Sequence, residues 1–207
     1  YTLLAIPFFL LSGAFMTTGG VAKRLIDFAN ACVGHIRGGL AIGAVLACML
    51  FAALSGSSPA TVAAVGSIAI AGMVRSGYPQ AFGAGIVCNA GNLGILIPPS
   101  ITMVVYAVAA DASIIRIFLA GFLPGLLLMI LFSGYIAWWS VRHPDKVPPP
   151  EAPSSFGEKL WRSRRLIPCA LLIVLICWVL IAGWATATEC AAYGVFGALV
   201  IAGFSRS

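Results

Sequence analysis

Two adjacent prolines, Pro98 and Pro99, interrupt a 30-residue apolar segment, 81–110, that is otherwise long enough to cross a bilayer. A proline has no backbone N–H and excludes α geometry from the residue before it, so a helix cannot continue through the pair. At membrane depth, non-helical backbone is tolerated only where it is buried in protein or lines a wet cavity. The segment therefore predicts two half-helices joined by an unwound linker within a membrane protein.

Composition extends this interpretation to the whole chain. Hydrophobic residues make up 61% of the 207 residues and charged residues 9%, far from the shares of a soluble domain. Half of the twelve basic residues lie in one loop, 142–165, which indicates membrane orientation rather than nucleic-acid binding. The six cysteines stand singly in apolar runs and are interpreted as small hydrophobic side chains. We predict an all-α, polytopic membrane protein.

A second break is predicted at "LSGSSPATVAAVG", 54–66, where serines, a proline and a threonine gather between two apolar runs. Each run has only 15 to 17 residues, which is short for a full span, and Arg37 and Arg75 mark their outer ends. If both arginines lie on one side, the two runs form a re-entrant hairpin, 38–74, with its tip near mid-membrane. The hairpin and the broken helix would then form one core.

The first part of the chain predicts a different element. The chain begins at Tyr1 without a basic leader, so we expect a fragment that starts elsewhere rather than a signal peptide. In 20–37 an apolar stripe recurs at helical spacing, while the charged side chains lie mostly off it, as is typical of an amphipathic interfacial helix. The stripe consists of Val21, Leu25, Phe28 and Cys32.

Charge and hydropathy together predict five segments. The basic excess of 142–165 assigns that loop to the cytoplasm, with Arg37 and Arg75 on the same side and a polar turn, Asp111 to Arg116, outside. The segments are 1–37 (the end of a transmembrane helix and the interfacial helix), 38–116 (the core formed by the re-entrant hairpin 38–74 and the broken helix 81–110), 117–141 (a transmembrane helix), 142–165 (the Pro-rich loop) and 166–207 (two transmembrane helices, 166–184 and 189–204).

An oxygen-rich hairpin tip beside a broken helix is typical of a secondary-transport site. Hydroxyls and carbonyls can coordinate Na⁺, and half-helix N-termini attract anionic substrates. The competing interpretation is that small residues simply allow close helix packing. Because the hairpin arms and the broken helix carry no charged side chain, an anion would be held by backbone dipoles, hydroxyls and amides. We expect Asn89 and Asn92 to be buried and to need partners, unless one merely caps a half-helix.

Thr186 precedes Glu189 by three residues, a capping-box pattern at the start of the last predicted span. Capping is the simpler role for Glu189, and a protonatable carboxylate in the transport path is the alternative. His35 and His143 lie beside basic residues at predicted membrane edges, where a solvated interfacial position is expected.

The runs "LSGSSPATVAAVGSI", "GNLGILIPPSITMVVYA", "IFLAGFLPGLLL" and "TATECAA", in this order, resemble the large membrane subunit of the tripartite ATP-independent periplasmic (TRAP) transporters, the DctM-like family. Two departures are the proline in "SSPATV" and TATE in place of the usual TPTE. The resemblance implies a Na⁺-coupled importer of organic acids, with C4-dicarboxylates favoured over a sugar acid or a keto acid. It implies no enzymatic activity, no cofactor besides the coupling Na⁺ and no nucleic-acid partner.

The resemblance also implies partners and architecture. A small membrane subunit and a soluble periplasmic binding protein would assist the permease in the bacterial inner membrane. The fold would be an elevator-type transporter of two inverted repeats, of which this chain holds one, with the second hairpin and broken helix outside it.

The site residues implied by the resemblance fall into two groups. The sodium-binding group comprises Ser55, Gly56, Ser57, Asn89, Asn92 and Gly94. The substrate-binding group comprises Ser58, Thr61, Pro98, Pro99, Ser100 and Thr102.

There are three alternative functions, and the sequence argues strongly against the first. An intramembrane serine protease needs a base beside its serine, and neither histidine lies within a predicted span. A channel with re-entrant loops would conduct without a binding protein. A Na⁺/dicarboxylate symporter of similar hairpin architecture would also dispense with the binding protein.

Overall fold

The computed structural model describes residues 2–18, 20–149, 171–172, 174–176, 178–179 and 182–205. All regular structure in these residues is helical, as predicted. The helices are α1 (Ala5–Thr18), α2 (Val21–Val33), α3 (Gly39–Ser55), α4 (Ser58–Arg75), α5 (Gln80–Gly91), α6 (Leu93–Leu96), α7 (Ile101–Ala109), α8 (Ile114–Arg142) and α9 (Ala187–Ser205). Short 3₁₀ turns occupy Thr2–Leu4 and Pro144–Lys146.

The helix α2 is the amphipathic helix that the apolar stripe predicts. It follows α1 with a bend of 70°, and Gly20 between them has a φ of 70°, which glycine tolerates without strain. Val21 and Leu25 are buried, whereas Phe28 and Cys32 are half-buried. Its apolar face packs against α3, so this face is covered by protein.

Helices α3 and α4 form a hairpin with a two-residue connection. Their outer ends lie together, because residues from both line one small cavity. Gly38, just before α3, and Leu40, in its first turn, contribute from one arm, and Ser76 and Tyr78, just after α4, contribute from the other. Pro148 and Pro149, which follow α8, line it too. The outer ends of the hairpin and the end of α8 therefore share one end of the molecule, in agreement with the predicted common side of Arg37, Arg75 and the loop from Arg142.

The predicted break in 81–110 is present. Helices α5 and α6 are separated from α7 by the non-helical residues 97–100, and the path bends by 44° there. Helix α8 begins at Ile114, so Arg116 lies in its first turn and not in the preceding turn, which corrects the predicted boundary. Pro124 lies inside α8, which continues for 29 residues.

Helix α9 packs along α1, and the Ser12 hydroxyl donates to the Gly194 carbonyl oxygen over 3.3 Å between them. The residues 171–172, 174–176 and 178–179 are helical, and the remainder of the predicted span 166–184 lies largely outside the described residues. Most of the predicted loop 142–165 lies outside them as well. Its side of the membrane stays a prediction.

Two of the described helices, α4 and α8, are long and apolar enough to cross a membrane. The number rises to four if α1 with α2, and α5 and α6 with α7, each count as one bent span. Whether α3 and α4 re-enter or cross the membrane, and whether the fold is one repeat of an elevator, remain predictions. The core lies between α1, α2, the hairpin and the broken helix, where Met16, Phe51, Met73 and Leu93 are fully buried.

Candidate functional site

The hairpin tip turns over Gly56 and Ser57, and its sequence explains the turn. Gly56 follows the last residue of α3 in the left-handed conformation, with a φ of 61°, as glycine does at many helix C-termini. Helix α4 then starts at Ser58 with Pro59 in its first turn, where the missing N–H costs nothing. Glycine ends one arm and proline starts the next.

A closed set of hydroxyl hydrogen bonds lies inside the tip. Ser55 and Thr61 are fully buried, with 3.2 Å between Ser55 Oγ and Thr61 Oγ1. The Thr61 hydroxyl and its backbone N–H both donate to the Ser57 carbonyl oxygen, over 2.9 Å and 3.0 Å. The Ser57 N–H donates to Ser55 Oγ over 3.4 Å. Ser55 and Thr61 thus stabilise the turn, and the Ser57 carbonyl oxygen has three donors around it, because the Ser55 hydroxyl also lies 3.4 Å away.

The tip lies directly against the unwound linker of the broken helix. The Ile101 N–H, at the start of α7, donates to the Gly56 carbonyl oxygen over 3.0 Å. A Cβ at Gly56 would lie 2.6 Å from the Pro99 carbonyl oxygen, and a Cβ at Gly94 would lie 3.1 Å from the Ser58 nitrogen. Glycine is needed at Gly56, and at Gly94 a side chain would require the Ser58 backbone to shift, because the two backbones approach so closely. The two sequence-predicted breaks therefore meet at one place.

The linker itself is held by its serine. Ser100 is fully buried and is the N-cap of α7, where its Oγ accepts a hydrogen bond from the Met103 N–H over 3.5 Å. Pro99 is buried and Pro98 is half-buried beside it. The predicted residues Ser55 to Ser58, Thr61, Gly94 and Pro98 to Ser100 are thus gathered around the contact between the tip and the linker.

Ser58 differs from its neighbours. Its Oγ is buried and has no hydrogen-bond partner, at the first turn of α4. An unpaired buried hydroxyl carries a desolvation cost of about 1–3 kcal/mol, which a bound ligand can offset. It lies where the helix dipole is positive, next to helices that carry no charged side chain between Gly38 and Val74.

Asn89, Asn92 and Thr102 lie elsewhere, and the expectation that both asparagines would be buried is wrong. All three residues are exposed. The Asn89 amide nitrogen donates to the Gly85 carbonyl oxygen in its own helix over 2.8 Å, so it satisfies itself locally. Asn92 stands between α5 and α6, where its backbone continues the turn. Their exposure depends on how the helices pack, which the spacing of the polar residues did not reveal.

One close neighbour of the tip was missed. Gly13 on α1 faces the buried Ser55, because a Cβ at Gly13 would lie 3.0 Å from Ser55 Cβ. Its sequence signal is a run of small residues, Ser12, Gly13 and Ala14, between bulky neighbours in the helix. Helix α1 therefore contacts both the hairpin tip and helix α9.

The described residues hold no group of three or more His, Cys, Asp or Glu side chains placed for a transition-metal ion. The oxygens at the tip are hydroxyls and carbonyls, which suit hard cations. At the last predicted span, the Thr186 N–H and hydroxyl donate to Glu189 Oε2 over 2.7 Å and 2.9 Å, and the Glu189 N–H donates to Thr186 Oγ1 over 3.4 Å. The predicted capping box is confirmed.

Comparison with known proteins covers the entire chain. The family model described as the DctM component of the tripartite ATP-independent periplasmic transporter matches residues 1–207. The chain is 66% identical, over 97% of its length, to a C4-dicarboxylate TRAP transporter large permease protein DctM from Pseudomonas aeruginosa, of which it covers 47%. It is 53% identical, over 99% of its length, to the protein of that name from Vibrio cholerae, of which it covers 44%.

A relative with a different printed substrate is also similar. The chain is 40% identical, over 97% of its length, to an ectoine/5-hydroxyectoine TRAP transporter large permease protein from Ruegeria pomeroyi, of which it covers 46%. The chain spans about half the length of these curated relatives.

Proposed function

The chain belongs to the DctM component family of the tripartite ATP-independent periplasmic transporters, and from this we propose that it forms part of the permease of a Na⁺-coupled importer of small organic acids. C4-dicarboxylates are the proposed substrates, because two relatives at 66% and 53% identity are named for them. The ectoine relative, at 40% identity, is more distant. Because this family consists of transporter permeases, the chain is a membrane transport protein and not an enzyme.

The observation that carries this proposal is the joining of the hairpin tip to the helix break. The Ile101 N–H to Gly56 carbonyl hydrogen bond, at 3.0 Å, brings two helix ends and two helix beginnings into one uncharged, oxygen-rich place. Such discontinuous helices offer carbonyl oxygens to a cation at their C-terminal ends and N–H groups to an anion at their N-terminal ends.

Within this site we propose separate roles for the two groups of residues. The Na⁺ group is Ser55, Gly56, Ser57, Asn89, Asn92 and Gly94. Asn89 and Asn92 lie on an exposed side, which the second hairpin and broken helix implied by the resemblance would cover. The Ser55 hydroxyl takes part in the hydrogen bonds inside the tip. A substitution of Ser55 therefore changes which oxygen atoms are available at the C-terminal end of α3.

The substrate group is centred on the beginnings of α4 and α7. The unpaired Ser58 hydroxyl is a ready donor to a carboxylate at the α4 N-terminus, where the helix dipole favours negative charge. Ser100 caps α7, and Thr61, Pro98, Pro99 and Thr102 shape the surrounding backbone. An anion would thus be held by dipoles and hydroxyls, without a buried cation.

We propose that the permease acts with a small membrane subunit and a periplasmic substrate-binding protein, in the bacterial inner membrane. The elevator mechanism is part of the proposal: the hairpin and broken helix, joined at the tip, would move together past a scaffold that includes α1 and α9. The close contact of Gly13 with Ser55 would then be a contact between the two parts.

Uptake of succinate into proteoliposomes that contain the intact permease and its small subunit tests this function. We expect uptake to require both an inward Na⁺ gradient and the binding protein. If Na⁺ alone suffices, the symporter without a binding protein replaces the proposal. If neither is needed, a channel does.

A further inference from the structure

A cleft of about 480 Å³ lies between α3, α5 and α8, and none of the tip residues lines it. Its walls are mostly apolar or aromatic, and include Phe82, Gly85, Ile86, Phe132 and Tyr135. The amide of Asn89 also faces it but donates to the Gly85 carbonyl oxygen. A cavity with so few free polar partners holds water poorly. Its occupant should be apolar.

The face of α8 that lines the cleft continues beyond it toward the end of that helix. Phe132 and Tyr135 line the cleft, and Trp138 and Arg142 follow at spacings of three and four, on the same helical face. The ring centroids of Tyr135 and Trp138 are 6.1 Å apart, and the Arg142 guanidinium carbon lies 5.2 Å from the Trp138 centroid. From Phe132 to Arg142 the helix rises about 15 Å, half of a ~30 Å hydrocarbon core.

Amphipathic aromatic side chains and a cation are therefore placed at one mouth of an apolar cleft. Tyr135, Trp138 and Arg142 are all exposed there. This order, apolar below and aromatic then cationic above, matches the polarity of a phospholipid from its acyl chain to its headgroup.

The charges at this end favour an anionic headgroup. Among the described residues at the outer ends of the hairpin and the end of α8, Arg37, Arg75, Arg142 and Lys146 are opposed by Asp145. Basic residues at the membrane surface attract anionic lipids.

We propose that this cleft binds one acyl chain of an anionic phospholipid whose headgroup phosphate contacts Arg142. The acyl chain lies between α5 and α8, so the lipid connects the broken helix to α8. The cleft includes Asn89, which we placed in the proposed Na⁺ group, but none of the residues of the tip or the linker lines it, and lipid binding is tested below without measuring Na⁺-coupled uptake.

Native mass spectrometry of the intact purified protein tests the headgroup. With equal amounts of phosphatidylglycerol and phosphatidylcholine added, we expect the wild type to retain one phosphatidylglycerol preferentially. Arg142→Gln should lose this preference, whereas Arg116→Gln, an exposed arginine in the first turn of the same helix, should keep it. Equal retention of both lipids by the wild type, or equal effects of the two substitutions, would contradict the proposal that the headgroup is anionic.

Filling the cleft tests the acyl chain. A Cβ at Gly85 meets no atom within 4 Å, so Gly85→Leu places its side chain in the cleft without a backbone clash. Gly134→Leu is the matched control, since its Cβ is equally free and Gly134 does not line the cleft. We expect Gly85→Leu alone to lose the lipid. If the wild type retains none, or if Gly85→Leu alone also unfolds the protein because another helix fills the cleft, the proposal is wrong.

Discussion

At the scale of single residues, Gly56 determines the geometry of the site more than any of the hydroxyl groups does. It has a φ of 61°, its carbonyl oxygen accepts the Ile101 N–H, and a side chain there would collide with Pro99. The serines around it stabilise the turn, but the glycine allows the tip and the linker to touch at all.

We therefore expect Gly56→Ala to destabilise the intact permease. A left-handed conformation costs an alanine about 1–2 kcal/mol, and the contact with Pro99 adds to that cost. Gly72→Ala is the control, because Gly72 lies within α4 and its Cβ meets nothing within 4 Å. Thermal unfolding followed by size-exclusion fluorescence should show a lower melting temperature for Gly56→Ala only. Equal melting curves would mean that the tip and the linker are not in contact.

The two serines on either side of the tip should separate ion and substrate effects. Ser55→Ala removes a hydroxyl from the tip network, so we expect weaker Na⁺ dependence of succinate uptake. Ser58→Ala removes the unpaired hydroxyl at the start of α4, so we expect a higher KM for succinate with the Na⁺ dependence unchanged. Uptake titrated in Na⁺ and in succinate measures both. The same response from both variants would contradict separate roles.

At the scale of elements, the helices end where local chemistry ends them. Gly56 terminates α3, Pro59 and Ser100 stand at the beginnings of α4 and α7, and Thr186 begins α9 with a complete capping box. Each end is specified by residues within one turn of it.

The capping box gives a test of Glu189. Glutamine accepts the same hydrogen bond from the Thr186 N–H, so Glu189→Gln should preserve both stability and uptake if the residue only caps α9. Glu189→Ala should lower the melting temperature of the intact permease. If Glu189→Gln melts normally but loses uptake, the protonatable carboxylate becomes the better interpretation.

At the scale of the whole molecule, the part of the chain that the structure describes holds the α3–α4 hairpin and the broken helix of α5 to α7, joined at the tip. The asparagines implied by the resemblance to bind Na⁺ are exposed on the outside of this unit. An open side with polar groups fits a site that is completed by further elements, as the second repeat of the resembled family would provide.

We therefore expect liposomes that hold only residues 1–207 to show no net Na⁺-driven succinate uptake, because half of the proposed site and the alternating partner are absent. Liposomes with the intact permease, its small subunit and the binding protein are the positive control. Net uptake by residues 1–207 alone, above that of empty liposomes, would refute the proposed half-site.

Much of this architecture follows from the sequence alone. Pro98 and Pro99 exclude a continuous helix, Gly56 and Pro59 favour a turn between two helices, and the apolar stripe of α2 appears in its spacing. These features depend on backbone sterics and on the period of a helix, which act within a few residues. The location of the polar tip beside the break was also predicted.

Only the tertiary structure decided which groups meet. The hydrogen bond from Ile101 to Gly56, the approach of Gly13 to Ser55 and the outward position of Asn89 depend on how helices far apart in the chain pack and rotate. A rotation of one helix by a residue's step changes which side chains face a neighbour, and spacing along one sequence does not specify it. Local chemistry determined where the chain breaks, and packing determined what the breaks hold together.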